Sequence, residues 1–218
     1  MAEILNYIGE LNVQKPLRFH ARSEATALEE RPIEELEAIY LTRSIELLRH
    51  PELHALVDNG NVTLGMIKPS ANEGKNLPEN DDEAAEEVLN QIDGVFFSIP
   101  IKMTPDEAEE FYKDTIAGLR SSGREDIVNL IVNFTSSGPL TVFLKSDSEN
   151  AVANWRKQMG PTLMEEFSKP ENSGTVRGKY AQVTENNIVH GSDSIESAHR
   201  EINLLADMLQ NRLRLTSL

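Results

Sequence analysis

Three short runs of apolar residues, rich in β-branched and aromatic side chains, punctuate the chain: VTLGMI (62–67), VFFSIPI (95–101) and LTVFLK (140–145). Their length and composition predict buried strands. Between and after them, apolar residues recur at three- and four-residue spacing, the period of an amphipathic helix. DEAAEEVLNQI (82–92) has acids in its first turn and leaves through Asp93-Gly94. Thr104-Pro105-Asp106-Glu107 is a helix start with a hydroxyl N-cap, proline in first place and Glu107 in third, as in a capping box. That helix carries Phe111 and Tyr112, and a shorter one is predicted over 124–134. SENAVANWRKQM begins at a capping Ser148, and 163–175 reads as irregular. A final helix, ESAHREINLLADML, aligns Ile195, Ala198, Ile202, Leu205 and Leu209 down one side.

Upstream the pattern is helical only. Ile33, Leu36, Ile39, Tyr40, Leu47 and Leu48 predict an amphipathic helix, with Pro32 in its first turn and Glu34 and Glu35 near its positive end. His50-Pro51 is its expected stop, because the residue before a proline is pushed out of the helical region. Asp58-Asn59-Gly60-Asn61 is a turn.

Strands alternating with helices from Val62 onward argue for a sheet covered by helices, α/β or α+β. Three or four short strands suit a small split β-α-β sandwich better than a large doubly wound sheet. At 218 residues and 39% hydrophobic content the chain can bury a real core in one domain, or in one domain with an extension. The change of pattern divides it into a helical extension over 1–60 and a domain over 61–218.

Composition removes several kinds of chemistry. Without cysteine there is no disulfide framework, thiolate catalysis or cysteine zinc site. No apolar run approaches the roughly 20 residues that span a bilayer, and MAEILNYIGELNV makes a poor signal peptide. The expectation is a soluble, cytoplasmic protein, with the sequons at Asn61 and Asn133 arising by chance. A net charge of −15 opposes binding to nucleic acid or anionic membranes. It also means that any phosphate ligand needs a local basic pocket. No P-loop is present: Gly74-Lys75 is followed by Asn76, and Pro69 stands where the first glycine belongs. HPELH (50–54) misplaces its glutamate for a zinc helix and is read as a loop.

One constellation survives. His190 is one of five histidines, with Asn187 three residues before it, Gly-Ser-Asp directly after it and Glu201 eleven residues on. A metal site needs further ligands, and the nearest histidine, His199, falls on a face expected to be exposed. A nucleophilic histidine needs one ring nitrogen free and the other held by an acceptor. Glu201, about two turns into the last helix, could point back to supply it. Attack on phosphorus also needs cations and donors for the transferred oxygens. Lys68, Arg156, Thr162, Arg177 and Tyr112 are candidates.

TLGMIKPSA, MTPDEAEEFY, SGPLTVFL, WRKQMGPT, SGTVRGKYA and NNIVHGSDSIESAHREI, in that order, resemble the successive signature segments of nucleoside diphosphate kinases. The resemblance covers roughly 62–205. It implies a ferredoxin-like α/β plait, an α+β fold with an antiparallel sheet covered by helices. It also implies ping-pong transfer of the terminal phosphate of a nucleoside triphosphate to a nucleoside diphosphate, through a phosphohistidine on His190. In that scheme Glu201 holds the other ring nitrogen and Ser192 supports it. Lys68, Tyr112, Arg156, Thr162, Arg177 and Asn187 contact phosphates and sugar, Mg²⁺ arrives on the nucleotide, and the chain is a homo-oligomer. Several features depart from the family pattern. The loops after Pro69, after Tyr112 and over 163–175 are lengthened, and the last lacks Asn-Pro after Thr162. Ile127 stands where an aromatic residue stacks on the base, and Thr115 replaces a larger residue. The alternative reading is a catalytically weak or inactive kinase-like module that binds nucleotides or proteins.

Overall fold

The computed structural model describes residues 33–184 and 186–216. Pro32 lies outside them. Four strands, β1 (Val62–Ile67), β2 (Val95–Ile101), β3 (Leu140–Ser146) and β4 (Val189–Gly191), form one sheet in the order β2-β3-β1-β4. Every neighbouring pair is antiparallel. Strand β1 is central and buried along its whole length, as its unbroken apolar run requires. The fold is the α+β plait expected from the sequence.

Strand alternation divides the core into two layers. Val62, Leu64 and Met66 of β1 join Leu140, Val142 and Leu144 of β3 on one face. They pack there against α1 (Ile33–Leu48), α2 (Pro51–Asp58), α4 (Pro105–Phe111) and α10 (Ile195–Thr216). Ile67 and Phe143 point the other way, toward α3 (Asp81–Leu89), α7 (Ala151–Met159), the short α8 (Met164–Phe167) and α9 (Val176–Tyr180). Gly65 lies beneath the Phe143 ring, and a Cβ there would collide with it.

The long α10 carries Ala198, Ile202, Leu205 and Leu209 as a buried stripe, as their spacing requires, and lies along α1. Leu41, Ile45, Leu47 and Leu48 of α1 are buried with it, so this upstream helix completes the same apolar layer.

Several local expectations are corrected. Helix α1 stops at Leu48, as His50-Pro51 predicts, but Pro51 at once begins another helix where a loop was expected, because proline fits the first helical position and His50 Nδ1 accepts from the Glu52 N–H (3.2 Å). The HPELH segment is thus largely α2. His54 lies edge to edge with His199, Nδ1 to Nδ1 at 3.2 Å, and His199 Nε2 reaches Asp58 (2.7 Å). His199 is therefore half-buried rather than exposed. Helix α7 is capped by Asn150, in the left-handed region at φ 44°, and not by Ser148. Thr104 forms its full capping box, but α4 stops at Phe111. Tyr112 is the junction to α5 (Lys113–Ser121), and α6 (Glu125–Ser136) follows. Within 163–175, α8 and one 3₁₀ turn are ordered elements. Among the described residues no helix is long and apolar enough to cross a membrane.

Candidate active site

Strand β4 exists to hold His190. It is three residues long and pairs His190 with Met66 of β1. Alternation turns Val189 and Gly191 toward the α7 layer and His190 toward the α10 layer. Gly191 packs under the Trp155 indole, where a Cβ would collide. Trp155 Nε1 donates to the His190 carbonyl (3.2 Å), fixing the strand from behind.

The turn before β4 is strained. Ile188 has φ 68°, and the Val189 N–H donates to the Asn187 carbonyl two residues back (2.8 Å). That is a γ-turn of the rare positive-φ kind. A β-branched residue there costs on the order of 1–3 kcal/mol and persists only where its surroundings enforce it. Ile188 is fully buried, and its carbonyl accepts from the Lys68 N–H (2.8 Å). The turn presents Asn187 to the end of β1, where Asn187 Oδ1 accepts from Lys68 Nζ (2.7 Å).

His190 Nε2 lies 3.3 Å from both oxygens of Glu201, whose residue is 3% exposed. Ser192 Oγ donates to Glu201 Oε2 (2.7 Å). A carboxylate can only accept, so the neutral ring carries its proton on Nε2 and leaves the Nδ1 lone pair free. Phe111 and Tyr112 meet the imidazole edge-on at 5.1 and 5.3 Å between centroids. Burial, then the Glu201 charge, push the Tyr112 hydroxyl well above its ordinary pKa, so it stays a donor.

Arg177 is not a surface charge. It is 5% exposed, with Nη1 donating to the Gly160 carbonyl (2.9 Å) and Thr162 Oγ1 (3.1 Å), and Nη2 to the Val189 carbonyl (2.8 Å). It thereby ties the residue before His190 to the loop after α7. Its Nε is buried without a partner among the described residues. Burial, followed by repulsion from Arg156, lowers its pKa to about 10. Lys68 is lowered to about 7, by burial and then by Arg177. Both are cations held under-neutralised, a condition that an anionic ligand relieves.

Beside Thr162 opens a cleft of about 430 Å³ lined by Arg156, Lys157, Met159, Gly160, Pro161, Thr162 and Asn172. The structure thus brings Arg177 and Thr162 together, Lys68 with Asn187, and His190 with Glu201, Ser192 and Tyr112. Arg156 borders the cleft. Ile127 is half-buried on α6 and is not among the residues that line the cleft. Sequence reasoning missed Lys157 and Asn172 in the cleft wall; the basic pair Arg156-Lys157 was the available signal for the first. Among the described residues no three His, Asp or Glu side chains gather to hold a metal ion.

Residues 61–209 match the family model described as nucleoside diphosphate kinase. The chain belongs to the nucleoside diphosphate kinase family. A nucleoside diphosphate kinase from Geotalea uraniireducens is 36% identical over an alignment of 146 residues that covers 64% of this chain and 90% of that protein. The crystal structure of the Aquifex aeolicus nucleoside diphosphate kinase superimposes with a TM-score of 0.52 at 28% identity, covering 66% of this chain and 94% of that one. The thioredoxin domain-containing protein 3 homolog of Heliocidaris crassispina is 32% identical over 141 residues, but the chain spans only 15% of that protein's length. Several other curated relatives are likewise spanned for less than half their length. In this nucleoside diphosphate kinase family member the match begins just before β1, so α1 and α2 lie upstream of it.

Proposed function

We propose that the chain moves the terminal phosphate of a nucleoside triphosphate onto a nucleoside diphosphate, by two half-reactions through phosphorylated His190. The observation that carries this reading is the buried Ser192–Glu201–His190 chain, which commits the Nε2 proton and leaves Nδ1 as the nucleophile. In the first half-reaction the Nδ1 lone pair attacks the γ-phosphorus. The bond to the bridging oxygen breaks, and the nucleoside diphosphate leaves with that oxygen. Positive charge on the phosphorylated ring is met by Glu201. In the second half-reaction an incoming diphosphate oxygen attacks the same phosphorus, and Nδ1 leaves.

Catalysis of such a transfer is positioning and charge neutralisation. Lys68 and Arg177, both depressed by burial, gain most from the phosphate charge, and the free Arg177 Nε is one further donor for it. Arg156 and Thr162 take the phosphates at the cleft, Asn187 and Lys68 the sugar and inner phosphates, and Tyr112 closes over the ring. Ile127 covers the base. Mg²⁺ enters as part of the substrate, on the nucleotide's own oxygens. Assembly as a homo-oligomer, action in the cytoplasm and the role of 1–60 as an appended segment belong to the same proposal. Steady-state kinetics tests it. Varying triphosphate against diphosphate should give parallel reciprocal plots, and His190→Ala should abolish turnover. Intersecting plots, or turnover without His190, refute the phosphohistidine route.

A further inference from the structure

The Glu201 carboxylate has two cationic or potentially cationic neighbours, His190 and Arg200. Arg200 belongs to the same helix but reaches across to another element. Its Nη1 donates to the carbonyls of Phe111 (3.0 Å) and Glu110 (3.3 Å), at the C-terminal end of α4. Its Nε pairs with Asp114 at the start of α5 (3.3 Å), and its Nη2 stands 3.6 Å from Glu201 Oε1. Asp114 is 73% exposed at its side chain and adds little. The other contacts fall at one point: the carboxylate that sets the His190 tautomer, and the carbonyls of the helix end that carries Phe111 and Tyr112 onto the imidazole.

The division of acceptors fits this placement. Glu201 Oε2 takes the Ser192 hydroxyl, whereas Oε1 faces Arg200. A planar guanidinium can serve the helix end and the carboxylate together, which a single ammonium cannot. The helix end itself carries negative partial charge, which favours a cation there.

We infer that Arg200 is a positioning residue for the His190 relay: it keeps the Glu201 carboxylate aimed at Nε2 while fastening the α4–α5 junction over the ring. The inference rests on the phosphohistidine reading for its kinetic consequence, but its structural consequence is measurable without any turnover.

The test is nitrogen-15 NMR of the histidine rings in wild type, Arg200→Met and Arg200→Lys, with single-turnover phosphorylation by MgATP beside it. Wild type should show the His190 ring proton on Nε2. Arg200→Met should mix the two tautomers and slow phosphorylation about ten- to a hundredfold, with nucleotide affinity changed by less than about threefold. Arg200→Lys should keep the Nε2 tautomer through its charge and recover part of the rate. The inference is overturned if Arg200→Met keeps the wild-type tautomer, or if Lys behaves as Met does. A rate loss that only follows a lowered melting temperature, with the tautomer intact, overturns it as well. Should wild type take no phosphate, the kinase reading fails, and the tautomers still decide the role of Arg200.

Discussion

Replacing Lys68 by methionine should stabilise the unliganded protein. The ammonium at the end of β1 is held near a pKa of about 7, against an ordinary 10.5, by burial and then by Arg177. At about 1.4 kcal/mol for each tenfold in proton affinity, that depression costs the fold roughly 5 kcal/mol when the group is charged in both states. Removing the side chain also loses the charge-assisted bond to Asn187 Oδ1 (2.7 Å), about 1.5–3 kcal/mol. The net gain is then roughly 2–3.5 kcal/mol at pH 6.5, a sizeable part of a typical domain's stability. The sign of the pH dependence follows. Below the folded pKa of about 7 the destabilisation is fully present. As pH rises toward the unfolded value of 10.5 it is relieved, because the unfolded chain then binds the extra proton. Urea denaturation of wild type and Lys68→Met at pH 6.5 and pH 9.5 measures it. The variant should be the more stable at pH 6.5, and the advantage should vanish or reverse at pH 9.5. A variant less stable at pH 6.5, or a difference independent of pH, refutes the reasoning. The trade marks Lys68 as a residue that weakens the fold where a phosphate would strengthen it.

Three further outcomes are expected. Glu201→Gln should slow single-turnover phosphorylation by about a hundredfold, because a neutral amide no longer fixes the ring proton or meets the charged ring, while nucleotide affinity measured by calorimetry stays near wild type. Gly191→Ala should lower stability by about 1–3 kcal/mol or more through collision with the Trp155 indole, seen as a lowered melting temperature. The His54 ring is held below its ordinary pKa by burial and then by His199, so stability should fall as pH drops below the unfolded value of about 6.5. His54→Gln should flatten that part of the melting-temperature profile.

Elements with a strong local signal were legible in the sequence. The apolar runs at 62–67, 95–101 and 140–145 became β1, β2 and β3, and Thr104 formed its box. What depended on contacts between distant residues was not legible. The order β2-β3-β1-β4 and the three-residue β4 are set by pairing across the chain. His50-Pro51 marked the end of α1, but the start of α2 at the same proline was not legible, because the His50 side chain that caps it is a weak capping signal. For the site, the interval from His190 to Glu201 already implied a reach of two helical turns, and the carboxylate lies within 3.3 Å of Nε2. The left-handed turn at Ile188 had no signal, since a buried isoleucine is the last residue expected there. Arg177 stood out in the sequence as a candidate phosphate contact, but its burial and its carbonyl partners had no signal there. Arg200 drew no notice because its partners lie on α4 and α5, ninety residues away in sequence.

The central claim is that His190 becomes covalently phosphorylated. Intact-mass spectrometry after brief incubation with MgATP, quenched at alkaline pH because phosphohistidine is acid-labile, measures it directly. The account predicts one added phosphate on the wild type, none on His190→Ala, and loss of the phosphate when GDP is supplied. A wild type that binds nucleotide yet gains no phosphate, or a His190→Ala variant that gains one, contradicts it.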